Sequence, residues 1–223
     1  MKKQWCIGEI NSKFIWRMEK VLDCYEKPYD PHYPVVCFDE RPCQLIEDVL
    51  QPMPMQEGQA KREDYHYKRN GTAVVLAAVE PLQGKRLVDV RQQKTKTDYA
   101  EFMKELSKEY PMAKKIILVQ DNLNTHNPSS FYENMTATEA FELSQRFEMI
   151  YTPKKASWLN MAEIEFSALS KQCLDRRIGS LKTLTKEVAA WTKKRNKGRV
   201  RINWQFTKKN AREKFERFYD DII

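Results

Sequence analysis

The sequence predicts a mixed α/β domain, on three observations. Short apolar runs (Val35–Phe38, Thr72–Val79, Ile116–Val119) interrupt segments whose apolar residues recur at helical spacing. A turn signal at Pro81–Gly84 joins two of the strands closely, so a β-hairpin precedes the crossovers. The Ile116–Val119 run has no polar alternation, the mark of a strand covered on both faces by helices.

The elements follow in order. Phe14, Met18, Val21 and Tyr25 form one face of a first helix after an Asn11/Ser12 cap. Pro28, Pro31 and Pro34 stiffen a linker into the strand Val35–Phe38, which Asp39 and Glu40 end. A Pro/Met/Gln-rich loop, 51–59, separates it from a strand that Gly71 opens, and Arg86–Val90 is the third strand of a meander. Thr97 or Asp98 caps a helix carrying Tyr99, Phe102, Met103 and Leu106. The fourth strand ends at Asp121. A polar loop (122–130) and a helix (138–146) lead to a fifth strand, 148–151. Helices follow at 161–174, along Leu184, Val188 and Trp191, and after Thr207, the last burying Ala211, Phe215 and Phe218.

With 223 residues and 41% hydrophobic content, the chain supports one full core, or a core plus a small appendage, which excludes a disulfide miniprotein and a multidomain assembly. No apolar stretch is long enough to span a bilayer, so no membrane partner is expected. Five cysteines without a C-x-x-C pair, and no apolar leader, fit a reducing cytoplasm. His32, His66 and His126 are scattered, so thiolate or imidazole chelation is not expected and any metal is held by oxygen. The net charge of +8 is concentrated between Lys182 and Arg217, where 13 basic residues face 3 acidic ones. Interleaved with Trp191, Trp204, Phe206 and Phe215, that segment is either a phosphate-neutralising surface, densest at Lys193, Lys194, Arg195, Lys197 and Arg199, or a solvated helix face.

Asp39 and Asp121 each follow a buried strand, where open α/β sheets place ligand-binding groups, although an acid there also serves as an ordinary turn or cap residue. Glu163 and Glu165 lie about 200° apart on one helix, so only one can face a site. Periodicity does not choose between them. Asn124 and His126 either orient a bound water or phosphate or cap the segment that follows; Lys154 and Lys155 are a weak phosphate signal. Trp158 is expected in the core, with base stacking as the alternative.

Taken together, the aspartate after Val-Val-Cys-Phe, the run Leu118-Val-Gln-Asp-Asn-Leu-Asn-Thr-His126 and the run Thr152-Pro-Lys-Lys-Ala-Ser-Trp-Leu-Asn-Met-Ala-Glu163 resemble the catalytic domain of DDE transposases, in the bacterial insertion-sequence branch of the mariner superfamily. The resemblance continues through Arg62-Glu63 to Gly71-Thr72 and through Ile202–Thr207. It implies a ribonuclease H-like mixed five-stranded sheet flanked by helices, with residues 1–34 a helix and linker and residues 35–223 a catalytic domain ending in basic helices. It selects Glu163 through the spacing Leu-Asn-x-x-Glu, and makes Asp39, Asp121 and Glu163 the catalytic, metal-holding acids. Two Mg²⁺ (or Mn²⁺) ions are the implied cofactors, since hard cations take oxygen ligands. The implied activity is hydrolysis at transposon ends followed by 3′-OH transfer into target DNA at a TA dinucleotide, by a homodimer on DNA in a bacterial cytoplasm. A nuclease without strand transfer and a non-catalytic DNA-binding remnant are the rivals. Family members place helix-turn-helix modules ahead of this domain, and the 34 residues before Val35 are too few for one plus the packed helix; the alternatives are a downstream reading-frame product, the catalytic part alone or a decayed copy, with a separate helix-turn-helix protein as a candidate partner. The 42-residue spacing from Asp121 to Glu163 is longer than the family's, with the excess expected between 127 and 140.

Overall fold

The computed structural model describes residues 9–220 apart from Glu63; Cys6 and Glu63 lie outside the described residues. Five strands form one sheet in the order β3-β2-β1-β4-β5: β1 (Val35–Asp48), β2 (Tyr67–Glu80), β3 (Lys85–Arg91), β4 (Ile116–Gln120) and β5 (Phe147–Tyr151). β1, β2 and β3 pair antiparallel, whereas β4 and β5 run parallel to β1. This is the mixed five-stranded sheet that the resemblance implies.

Side-chain alternation sends odd and even residues of the central strands to opposite faces. Val36, Phe38, Val74, Leu76, Ala78, Ile116 and Leu118 pack under α2 (Lys96–Lys108) and α3 (Ala137–Gln145). On the other face, Cys37, Val79, Ile117 and Val119 meet α1 (Ser12–Glu26) and the start of α6 (Lys208–Lys214), and Ala73, Val75 and Ala77 meet α4 (Ala162–Gln172) and α5 (Leu181–Lys197). A last short helix, α7 (Glu216–Asp220), follows α6. Among the described residues no helix is long and apolar enough to cross a membrane, and the four described cysteines are free.

Several elements differ from the expectation. β1 does not end at Asp39 but continues to Asp48, because its second half pairs only with β2. That half has one neighbouring strand and is covered on one side only: Leu45 is buried, and Cys43 partly so, in the cluster under α4 and α5, while Pro42, Gln44 and Glu47 are exposed. It tolerates Pro42, whose missing N–H falls on the open edge left where β4 pairs no further than Cys37. β2 likewise begins at Tyr67. Gly71 does not open it but sits in a bulge, with Asn70 and Gly71 opposite Leu45 and the Gly71 φ at 104°. α2 is capped by Thr95, not Thr97 or Asp98. Asp98 instead closes a capping box by accepting from the Thr95 N–H. Trp158 is not in the core: it is 42% exposed, edge-on to Phe206. The final helix breaks at Phe215.

α4 is fixed in rotation by an ion cluster. Glu165, 1% exposed, accepts from Arg86 of β3 (Nε–Oε1 2.5 Å, Nη2–Oε2 3.1 Å) and from Arg195 of α5 (2.6 and 3.1 Å). Arg86 also donates to the carbonyls of Gly84 and Val200. The one carboxylate is thus shared by two guanidiniums and both of its oxygens are hydrogen-bonded, the condition under which a buried charge is tolerated. Removing the carboxylate strands two guanidiniums. Glu165→Leu is therefore expected to lower the unfolding free energy by about 3–5 kcal/mol in urea titrations. Glu163→Gln, two positions along on the exposed side, should cause no comparable loss.

Candidate active site

The register of β1 with β4 sets the site. Val35, Val36 and Cys37 lie opposite Ile117, Leu118 and Val119, so Asp39 and Asp121 each come two residues after the last paired position of adjacent parallel strands. The third acid arrives by a different route. Asn160, 1% exposed, donates from Nδ2 to the Phe38 carbonyl (2.8 Å) and to Asp39 Oδ2 (3.3 Å), and accepts from the Ala162 N–H (3.1 Å). One amide therefore ties the first turn of α4 to the strand bearing Asp39. Tyr25 of α1 holds the same segment by donating to the Leu159 carbonyl at 2.8 Å.

The choice between the two glutamates is made by burial. Glu165 points inward to its arginines, whereas Glu163 is exposed and its charge reaches Asp39. Burial first, and then the charges of Glu163 and Asp121, push the Asp39 carboxyl up to about 7, against a helpful Glu40 N–H at 2.8 Å. Among the described residues no group of three or more His, Cys, Asp or Glu side chains is placed to hold a metal ion.

Behind Asp121 lies a residue pair that motif reading did not connect. His126, 1% exposed, lies between Asp121 Oδ1 (Nδ1, 2.6 Å) and Glu40 Oε1 (Nε2, 3.1 Å). Two carboxylates facing both ring nitrogens require both to donate, hence an imidazolium. Burial opposes that charge, but the hydrogen bonds from Asp121 and Glu40 prevail and raise His126 to about 9. Asp121 is reciprocally held low: burial works against ionisation, and the His126 hydrogen bond and the Leu123 N–H outweigh it. The ring stacks on Tyr99 (5.0 Å) and meets Phe38 edge-on (5.2 Å). Glu40, 3% exposed at its side chain, also meets Lys94 at 3.4 Å. The available signal was alternation: in a strand, Glu40 must face opposite to Asp39, toward α2. Asn124 is exposed, and its carbonyl accepts from Asn127, so the structure places it in the loop rather than against an acid.

The basic residues divide. Lys154 and Lys155 lie in the loop from β5 into α4, at the same end of the sheet as Asp121. Arg195 is engaged with Glu165 and lies over Trp191 at 5.1 Å, so its charge serves the interior. Arg199 borders Tyr29, Pro31, Gly84 and Met112, next to the N-terminal ends of β1 and β4, which is the end away from the acids. Lys193, Lys194 and Lys197 are exposed on the last turns of α5, which lead to that same end. Of the aromatics interleaved with them, Trp191 and Phe215 are buried, and Trp204 and Phe206 pack against the core around α1.

A mixed sheet ordered β3-β2-β1-β4-β5, with aspartates leaving β1 and β4 and a helix docked beside them, defines the ribonuclease H-like class. The chain belongs to the DDE superfamily endonuclease family, whose model matches residues 34–185. No curated protein sequence matches it. Among solved structures it is similar to the Mos1 mariner paired-end complexes with Mn and with Mg (14% and 15% identity, TM-score 0.59 for both). It is also similar to the Mos1 strand transfer complex (13% identity, TM-score 0.59). Each match covers 100% of this chain, and the chain spans 64–65% of those proteins.

The chemistry of the donors fits a hard divalent cation: three carboxylates, one of them held proton-loving by burial and by its two acidic neighbours. Asp39, Asp121 and Glu163 are the residues that could hold it. Without cations the sign is fixed. Asp39 ionises near 3.8 when unfolded and near 7 when folded, so its contribution to stability is complete below about pH 4 and is lost as pH rises through 7. In EDTA, melting temperature should fall across that window, and Asp39→Asn should flatten the fall. His126 is raised from 6.5 to about 9, so its contribution is complete below about pH 6.5 and is lost as pH rises through 9.

Proposed function

We propose that this chain is the catalytic part of a DNA transposase, carrying out metal-dependent phosphodiester hydrolysis at transposon ends and 3′-OH transfer into target DNA. The observation that carries the reading is the convergence of Asp39 and Asp121 from adjacent parallel strands with Glu163 on a helix tied to the same strand by Asn160. Membership of the DDE endonuclease family and the Mos1-like fold support it.

Asp39, Asp121 and Glu163 would hold Mg²⁺ or Mn²⁺, as a pair of ions, and when bound these would supply Lewis-acid activation of an attacking oxygen and charge neutralisation at the leaving one. The remaining work falls to side chains. His126 fixes the Asp121 carboxylate by occupying one of its oxygens, leaving the other free as a ligand. Asn160 does the same for one Asp39 oxygen, and the Glu40 N–H holds the other. Exposure of Glu163 and the half-exposure of Asp121 leave the acids open to a duplex, as a polymeric substrate requires. The substrate ends, a TA target, a homodimer pairing two ends, a separate helix-turn-helix partner and a bacterial insertion-sequence origin are part of the same proposal.

Supercoiled plasmid and a pre-cut transposon end test it. Nicking should require Mg²⁺ or Mn²⁺ and disappear in Asp39→Asn, Asp121→Asn and Glu163→Gln. His126→Ala should lower it roughly 10- to 100-fold. Joined products from the pre-cut end are expected. Nicking without joining would identify a nuclease, and DNA binding without nicking in any divalent cation would identify a non-catalytic binding protein.

A further inference from the structure

Composition directs attention to the C-terminal cations, yet the fold carries Arg199 and the end of α5 away from the acids. It also neutralises others. Arg212 pairs with Glu19 (2.7 Å), and Lys208 with Asp23 (2.5 Å) and Glu26 (3.5 Å), so the acids along α1 are taken up by α6.

The first turns of α1 are different. Lys13 and Arg17 line a recess of about 340 Å³ together with Lys154 and Lys155, residues some 140 positions away in the chain. None of these four cations makes an ion pair or side-chain hydrogen bond among the described residues, and Glu9 is the one acid on the recess wall. The opposite wall is the loop leaving β5. Since Gln120 pairs with Tyr151, that loop departs from the same end and level of the sheet as Asp121. The loop also runs directly into α4, which carries Glu163. Unpaired cations converging on a concavity beside a cluster of acids have one evident counterpart: a polyanion that passes over both, since mutual repulsion is otherwise uncompensated.

We propose that this recess grips the phosphate backbone of duplex DNA on the β5 side of the acidic site, with Lys13 and Arg17 of α1 as contacts alongside Lys154 and Lys155. The inference rests on the reading of DNA as substrate and adds where one flank of the duplex is held. It makes α1 part of the substrate surface rather than packing alone. Lys155 offers a discriminating probe, because its φ of 60° is a left-handed conformation that glycine adopts more easily.

The test is duplex binding by the full chain, measured by fluorescence anisotropy in EDTA over a NaCl series. The probe is a labelled oligonucleotide duplex of about 30 base pairs, long enough to cross both the recess and the acids. Lys13→Gln/Arg17→Gln is expected to weaken binding roughly tenfold and to make the log–log salt slope shallower by about 2, close to one for each phosphate no longer neutralised. Lys155→Gly should weaken binding at an undiminished melting temperature, which a purely structural role would not produce. Lys197→Gln/Arg199→Gln, at the far end of the sheet, should leave the slope closer to the parent value. Parent-like affinity and slope in both recess variants, with the parent binding DNA, would overturn this inference alone. Failure of the parent chain to bind duplex at any salt would overturn the DNA reading beneath it.

Discussion

The rotational setting of α4 governs the site, and the buried Glu165 carboxylate with Arg86 and Arg195 fixes that setting. A helix packed by Phe166 and Leu169 alone can slide or roll at small cost, because apolar contacts are non-directional. A carboxylate shared between two guanidiniums on β3 and α5 cannot, since each bond is directional and each unpaired charge in the interior is strongly destabilising. With Glu165 turned inward, Glu163 two residues earlier is turned out. Asn160 then sets the distance to β1 through the Phe38 carbonyl.

Electrostatics around the acids are arranged in two layers. On the side facing solvent, Asp39 is surrounded by burial and by like charge, and holds its proton near neutrality. On the side facing α2, the charge balance is reversed: His126 and Lys94 sit against Glu40, and His126 also reaches Asp121. The two central aspartates thereby differ in proton affinity although they follow neighbouring strands. Alternation along β1 produces this division, since Asp39 and Glu40 are adjacent in sequence and point to opposite faces. Positive charge is divided in the same way. The acids of α1 are met by α6, leaving the cations at its other end for the recess beside β5.

Much of the fold was legible because its signals are local. The apolar runs that became β4 and the first half of β1, the Asn11 and Thr207 caps, and the faces of α1 and α5 all depend on neighbours within a turn or two. The misplaced ends of β1 and β2 share one cause. The second half of β1 and the start of β2 form a two-stranded ribbon whose β2 side is exposed from Tyr67 to Thr72, so its pairing there is set by cross-strand hydrogen bonds rather than by apolar pattern. Trp158 misled for another reason: its apolar ring is held at the surface against Phe206, a contact that sequence distance conceals.

By itself the sequence determined the element order and the two aspartates that follow buried strands; between Glu163 and Glu165 it left the choice open, and only the resemblance, through Leu-Asn-x-x-Glu, pointed to Glu163. The tertiary structure alone decided that Glu165 is a structural ion, that Glu40 and His126 support Asp121 from behind, and that Arg195 and Arg199 lie away from the acids while Lys13 and Arg17 lie beside the β5 loop. The reason is physical. Hydrogen-bond propensity and apolar period act along the chain, whereas charge pairing acts through space and is fixed only once the strands are in register.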